Sequence, residues 1–137
     1  MNNEVEREVR NSKNTFELEG NVANINDIYE NQNGKKSLRF DLAQNNNGNT
    51  QFVPIVLKGD LVNTYGNEIQ KGDWISVKGR INTYTKEYER DGKTYKDKQI
   101  DIIGFEITDK KNDKVYTSDG QVQEITSNKD NDTEMER

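Results

Sequence analysis

The sequence predicts an all-β fold, a small barrel of five strands with one short helix, on the basis of three observations. Apolar and polar residues alternate along five separate stretches of the chain, which is the period of a half-buried strand. Apolar residues recur at helical spacing in residues 59–70. An Asp-Gly pair at 91–92 separates the last two stretches and is a strong signal for a tight hairpin.

The first two strands are predicted around a polar turn. Every second position is apolar or small over residues 16–22, which gives one buried face. Ile25 and Ile28 break this alternation, so we expect a bulge or a sharp bend there. A turn at residues 30–34 then leads to the second strand at residues 37–43, in which the even-numbered apolar residues point inward.

The third strand and the helix follow an Asn-rich loop. The strand covers residues 51–57, with its odd-numbered apolar residues facing inward and Phe52 facing outward. Pro54 within it indicates that at least one edge of the strand is unpaired at that point, because proline has no backbone N–H. The helix is predicted over residues 59–70, and Gly72 provides its stop signal.

The last two strands form a long hairpin. The fourth strand opens after residue 73, with Ile75, Val77 and Ile81 facing inward, and continues to a turn at residues 90–93. Beyond Ile81 the inward positions become polar, which predicts that the strand leaves the barrel and projects as a ribbon. The fifth strand returns over residues 95–107.

This order of elements is that of a five-stranded Greek-key OB-fold barrel, with the helix between the third and fourth strands and a long hairpin joining the fourth and fifth. We expect the OB-fold domain to cover residues 14–108 and a flexible N-terminal segment to cover residues 1–13. A polar, acidic C-terminal tail is expected over residues 109–137, in which residues 115–125 are compatible with a small extra hairpin.

The composition excludes several classes of function. Of the 137 residues, 29% are hydrophobic and 33% are charged, and there is no Cys and no His. Disulfides, thiolate nucleophiles and Ser-His-Asp catalysis are therefore excluded, so we expect no enzyme, no metal and no cofactor. No apolar run approaches the ~18 residues that cross a bilayer. We expect a soluble cytoplasmic protein without a membrane partner.

The net charge of −5 conceals a basic segment at residues 71–98, which carry eight basic and five acidic side chains, for a net +3. The outward face of the predicted hairpin interleaves cations with tyrosines: Lys78, Arg80, Tyr84, Lys86, Tyr88, Arg90 and Tyr95. Cations neutralise phosphates, and rings stack on unpaired bases for about 1–3 kcal/mol per base. The pattern indicates a surface for single-stranded nucleic acid.

Other interpretations of these residues stay open at the level of the sequence. Hairpins rich in Lys, Tyr and Glu also occur as solvated ribbons, in which exposed tyrosines pack across the strands. Phe52 favours a binding face, but an oligomer contact or cover by the N-terminal segment also explains an outward ring. Trp74 is interpreted as a residue of the barrel end or of an interface.

Four segments in the correct order resemble the bacterial and phage-type single-stranded DNA-binding protein family, across roughly residues 14–108. The sequence Gly-Asn-Val at 20–22 is similar to the Gly-Asn-Leu of that family's first strand, and Leu-Arg-Phe-Asp-Leu-Ala at 38–43 is similar to its second strand. Phe-Val-Pro-Ile-Val-Leu-Lys-Gly at 52–59 resembles its Trp-His-x-Val-x-x-x-Gly segment. Lys-Gly-Asp-Trp-Ile-Ser-Val-Lys-Gly at 71–79 resembles its Lys-Gly-x-x-Val-x-Val-x-Gly segment.

The resemblance implies specific positions for binding residues. Phe52 falls on a base-stacking Trp, and Tyr84 or Tyr88 approximates the aromatic residue at the base of the long hairpin. Lys58 stands where the family often has a stacking Phe, and Val53 stands where many members have a His that supports the subunit interface.

The resemblance also implies partners. It implies a homo-oligomer, either a dimer or a tetramer. The acidic C-terminal end lacks the apolar Pro-Phe tip that recruits replication partners in the family, so recruitment through the tail is not implied.

We therefore expect non-sequence-specific binding of single-stranded DNA in replication, recombination or repair. Phosphates would contact Arg39, Lys58, Lys78, Arg80, Lys86 and Arg90, and bases would contact Phe52, Tyr84, Tyr88 and Tyr95. The alternative is an OB-fold protein-interaction module that acts as an accessory factor in replication or DNA transfer, which would bind DNA weakly. Binding of RNA or oligosaccharide by the same barrel face is a third hypothesis.

Overall fold

The computed structural model describes residues 10–125, so the first nine residues of the predicted N-terminal segment and the tail from residue 126 lie outside the described residues. The described chain forms eight strands, one α-helix and one 3₁₀ turn. The strands are β1 (Phe16–Ile25), β2 (Tyr29–Glu30), β3 (Lys36–Asn46), β4 (Asn49–Lys58), β5 (Trp74–Arg90), β6 (Lys93–Asp109), β7 (Lys114–Thr117) and β8 (Val122–Glu124). Helix α1 (Asp60–Thr64) and the 3₁₀ turn (Tyr65–Asn67) lie between β4 and β5.

Five of the strands close into a barrel. β1 pairs antiparallel with β3 and β5, β3 pairs with β4, and β5 pairs with β6 along the whole hairpin. A parallel contact between β4 and β6 completes the circle, and among the described residues it has one registered pair, Val56 with Ile103. The predicted five-stranded Greek-key OB-fold barrel, with its helix between the third and fourth barrel strands, is confirmed.

The alternating pattern of the strands fills the interior of the barrel. Seven aliphatic residues are completely buried, six in the strands and one in the helix: Leu42, Ile55, Leu57, Ile75, Val77, Ile107 and Leu61. Burying such a side chain contributes about 1.5–3 kcal/mol relative to leaving it exposed. α1 and the 3₁₀ turn close one end of the barrel with Val62 and Tyr65. This helical segment is shorter than predicted, since the α-helix ends before Gly66 and Asn67, which are poor helix formers.

Two irregularities bend the sheet. The pairing of β1 with β3 shifts register between Val22 and Ile25, where the sequence predicted a bulge or bend. The pairing of β5 with β6 shifts beside Gly79, which leaves Phe105 as an extra residue on β6. A Cβ atom on Gly79 would lie 1.8 Å from the carbonyl oxygen of Ile103, so only glycine permits this approach of the two strands.

The hairpin separates from the barrel earlier than the apolar pattern suggests. Ile81 was predicted to face the core, but its side chain is 44% exposed, so that prediction was wrong. The strand has already left the barrel at this residue, and the adjacent contact comes from Asn14. The side-chain amide of Asn14 donates to the carbonyl of Ile81 at 2.7 Å, and its oxygen accepts from the Ile81 N–H at 3.1 Å.

The packed core also takes in residues that follow position 108. β7 pairs with the end of β6, and β8 pairs with β7. The turn into β7 is built on Asp109, whose carboxylate accepts hydrogen bonds from the backbone N–H groups of Lys111 and Asn112. Tyr116 on β7 is 4% exposed and belongs to the hydrophobic core. None of the described helices is long and apolar enough to cross a membrane.

Candidate nucleic-acid interface

One face of the β5–β6 hairpin carries a ladder of rings and cations. The alternation of a regular strand places Tyr84, Lys86, Tyr88 and Arg90 on the same side of β5, and Tyr88 pairs directly with Tyr95 of β6. The Tyr88 and Tyr95 rings have centroids 5.5 Å apart and planes inclined by 25°. The guanidinium carbon of Arg90 lies 5.9 Å from the Tyr88 ring centroid. This surface offers flat rings and positive charge side by side.

Tyr88 is further held by Asp97, which pairs with Lys86 on the same face of the hairpin. Desolvation of the phenol, followed by the charge of Asp97 and a hydrogen bond to its carboxylate, raises the pKa of Tyr88. The Tyr88 hydroxyl is the donor in that hydrogen bond, and the Asp97 carboxylate accepts it.

A transverse row across four strands connects the hairpin to the barrel wall. Arg80 pairs with Ile103, Ile103 with Val56, and Val56 with Arg39. Residues in one transverse row project from the same side of a sheet, which here is the outer surface of the barrel. Val56 and Ile103 are 2% and 7% exposed, although neither belongs to the interior cluster. The row therefore has a buried apolar middle and an exposed arginine at each end.

Phe52 and Lys58 lie at the two ends of the same surface on β4. Phe52 is 57% exposed and pairs with Ala43, whose methyl group is too small to cover the ring. Lys58 pairs with Ser37 at the other end of the strand, and its side chain is also exposed. The structure thus places Arg39, Phe52 and Lys58 on one outer face, joined through Arg80 to the ladder of the hairpin.

Lys78 is set apart from the other predicted site residues. It lies just before the β5–β6 register shift at Gly79, on the side of the barrel. Its ammonium nitrogen is 3.9 Å from a carboxylate oxygen of Glu106. Its partner on the opposite side is Glu17 of β1. These acidic neighbours offset its charge, so Lys78 offers less attraction to a phosphate than the cations of the ladder.

Two adjoining clefts beside Arg39 contain residues that the sequence analysis missed. The first has a volume of about 450 Å³ and is lined by Asn26, Asp27, Tyr29, Ser37, Arg39, Val56, Lys58 and Asp101. The second, of about 640 Å³, shares Tyr29, Ser37 and Lys58 with the first and adds Lys35 and Lys36 among its lining residues. Tyr29 is 65% exposed. Two features of the sequence could have indicated these cleft residues. One is the Gly-Lys-Lys run at 34–36 after the predicted turn, and the other is the isolated Tyr29 before it.

The described part of the chain contains no group of three or more acidic side chains arranged to hold a metal ion. The surface combines guanidinium and ammonium groups, which suit phosphates, with exposed rings, which suit unpaired bases.

Comparisons with known proteins agree with this fold. The profile of the Single-strand binding protein family matches residues 13–108. Among solved structures, the chain is similar to the one described as "Plasmodium falciparum SSB complex with ssDNA", with a TM-score of 0.55 and 23% sequence identity. That match covers 69% of this chain and 89% of the other. No curated protein matches the chain. The matched segment contains all five strands of the barrel and most of the chain, and the protein belongs to the single-strand binding protein family.

Proposed function

We propose that the protein binds single-stranded DNA with little dependence on sequence, as such DNA becomes exposed in replication, recombination or repair. The observation that carries the proposal is the continuous outer surface formed by the Arg80–Ile103–Val56–Arg39 row and the tyrosine ladder of the hairpin. Membership of the single-strand binding protein family supports it. The structural relative in complex with single-stranded DNA supports it as well.

The arrangement favours a single strand over a duplex for a physical reason. Exposed rings such as Phe52, Tyr84 and Tyr95 gain stacking energy only from bases whose faces are free, and a duplex hides those faces. The cations contact the phosphate backbone, which is the same for every sequence, so their contribution is independent of sequence and weakens with salt.

The test is fluorescence anisotropy of a labelled oligo-dT against a duplex of equal length, at several salt concentrations. We expect tight binding of the single strand, weaker binding of the duplex, and loss of affinity as salt rises. The double variant Tyr84→Ala, Tyr88→Ala is expected to bind at least tenfold more weakly, from about 1–3 kcal/mol per lost stacking contact.

The matched control is Thr83→Ala with Thr85→Ala, which changes the same strand on its opposite face. We expect this variant to bind like the wild type. A folded Tyr84, Tyr88 double variant with unchanged affinity would contradict the proposed role of the hairpin. Equal affinity of the wild type for single strand and duplex would contradict the proposed function.

We also propose that the protein acts as a homo-oligomer. Membership of the family supports this, and so do two exposed apolar side chains on the hairpin face opposite the ladder, Ile81 at 44% and Ile100 at 62% exposure. Burying them against a second copy would remove apolar surface from water. Light scattering checks the mass, and a monomer at micromolar concentration would contradict the proposal.

A further inference from the structure

The cleft beside Arg39 contains a buried carboxylate. The side chain of Asp101, on β6, is 10% exposed, and one of its oxygens lies 3.7 Å from a guanidinium nitrogen of Arg39. That separation is longer than a hydrogen bond. A carboxylate has four acceptor sites, and buried acceptors are normally filled. Within residues 10–125 no side chain donates a hydrogen bond to Asp101, so its carboxylate presents unused acceptor capacity on the wall of a cleft.

The other walls of the cleft suit a flat heterocycle. Val56 is an apolar lining residue with 2% of its surface exposed, and the ring of Tyr29, 65% exposed, offers a face for stacking. The volume of about 450 Å³ falls in the range of small-ligand pockets. Arg39 and Lys58 line the same cleft and belong to the proposed path of the phosphate backbone. A base that turns inward from a bound strand would meet these groups.

Resting on the proposed function, we propose that this cleft is a base-selective subsite that takes guanine, with Asp101 as the acceptor. Guanine presents two neighbouring donors, N1–H and the exocyclic N2 amine, which match the two oxygens of a carboxylate. Thymine has one donor between two carbonyl oxygens, and those oxygens oppose the negative charge. Adenine and cytosine each place one amine beside a ring nitrogen that is an acceptor.

The selectivity would act on one nucleotide within an otherwise sequence-tolerant contact. Phe52 and the tyrosines of the hairpin stack on any base, because every base has a π face. Arg39 offsets the charge of Asp101, so that the carboxylate does not repel the backbone of the same strand. A charge-assisted pair of hydrogen bonds in a cleft then distinguishes guanine from the other bases.

The experiment compares four 15-nucleotide oligo-dT strands that differ only in the central base, measured by anisotropy with the wild-type protein. We expect the strand with a central dG to bind about fivefold more tightly than all-dT, within the discrimination of a bidentate contact. A fifth strand carries deoxyinosine, which keeps N1–H and O6 but lacks the exocyclic amine. We expect deoxyinosine to lose most of the advantage, a result that requires no variant protein.

Two variants then assign the effect. Asp101→Asn is expected to abolish the preference for dG. The control Asp97→Asn removes a negative charge from the hairpin end of the same surface and keeps an acceptor for Tyr88, so the preference is expected to remain. Equal affinity for all five strands, or a preference that survives Asp101→Asn, would overturn the inference while single-stranded DNA binding stands. Failure to bind any of the strands would overturn the proposed function itself.

Discussion

The rings of Tyr65 and Tyr116 meet with centroids 5.0 Å apart and planes inclined by 56°. Tyr65 closes one end of the barrel, and Tyr116 belongs to β7, beyond the segment that matches the family. The contact packs β7 against the hydrophobic core. The packed core therefore extends past residue 108, and the turn between β7 and β8 reaches the second cleft through Ser118.

Removing the Tyr116 ring tests this extension. We expect Tyr116→Ala to lower the free energy of unfolding by about 3 kcal/mol, because truncating a buried aromatic side chain leaves a cavity in the core. Urea unfolding measures the change. Val122→Ala on β8, where the side chain is 46% exposed, is the control and should stay within about 0.5 kcal/mol. Similar stabilities for the two variants would show that β7 is not part of the core.

The buried phenol of Tyr65 should make the free energy of unfolding fall at alkaline pH. Burial, followed by the charge of Asp73 and a hydrogen bond of 3.0 Å to its carboxylate, raises the pKa of the Tyr65 phenol. Because the pKa of Tyr65 is higher in the folded than in the unfolded chain, where it is near 10, the protonated phenol adds to the free energy of unfolding. This stabilisation is fully present below about pH 10. It is lost as the pH rises further, because the unfolded chain ionises first.

The variant Tyr65→Phe separates this effect from other tyrosines. At pH 8 we expect it to cost about 1 kcal/mol through the lost hydrogen bond. Between pH 8 and pH 11 its stability should decline less than that of the wild type. Urea unfolding at the two pH values gives the comparison, and parallel declines would contradict the assignment to Tyr65.

Two lysines of the predicted site should differ in their contribution to DNA binding. Lys58 lines both clefts beside Arg39, whereas Lys78 is paired with Glu106 and faces Glu17 across the strands. We expect Lys58→Ala to reduce the slope of log affinity against log salt by about 0.7, the value for one phosphate contact on a single strand. Lys78→Ala should leave the slope unchanged. The opposite ranking would place the backbone on the other side of the bulge.

Phe52 offers a test of stacking that is separate from stability. Its ring is 57% exposed, so Phe52→Ala should change the free energy of unfolding little while it weakens DNA binding about tenfold. Phe52→Trp keeps a flat ring and is expected to retain affinity. If Phe52→Ala lowers the oligomer mass and leaves affinity intact, the ring is a subunit contact instead.

The barrel and the position of its hairpin follow from local patterns in the sequence. Period-two alternation and the Asp-Gly turn are properties of neighbouring residues, and each strand needed nothing else to be recognised. The outward position of Phe52 follows from the same parity.

The clefts and the buried residues that line them depend on contacts between segments that are distant in the sequence. Val56 and Asp101 are buried on the outer side of the wall, and together with Tyr29 and Arg39 they line one cleft. No period in β4 or β6 reveals that cleft. Ile81 illustrates the converse, since its apolar character predicted burial but its side chain is 44% exposed where the hairpin leaves the barrel.

The joint between β4 and β6 is also the place where the barrel is held least tightly. Among the described residues these strands share the single registered pair Val56 and Ile103, while β3 with β4 and β5 with β6 share long ladders. Local opening concentrates where backbone pairing is sparse. Single-stranded DNA bound across Arg39 and Arg80 would bridge this joint from outside and stabilise the closed barrel. Ligand binding and barrel closure would then reinforce each other, with slower amide hydrogen exchange beside Val56 as the sign of that coupling.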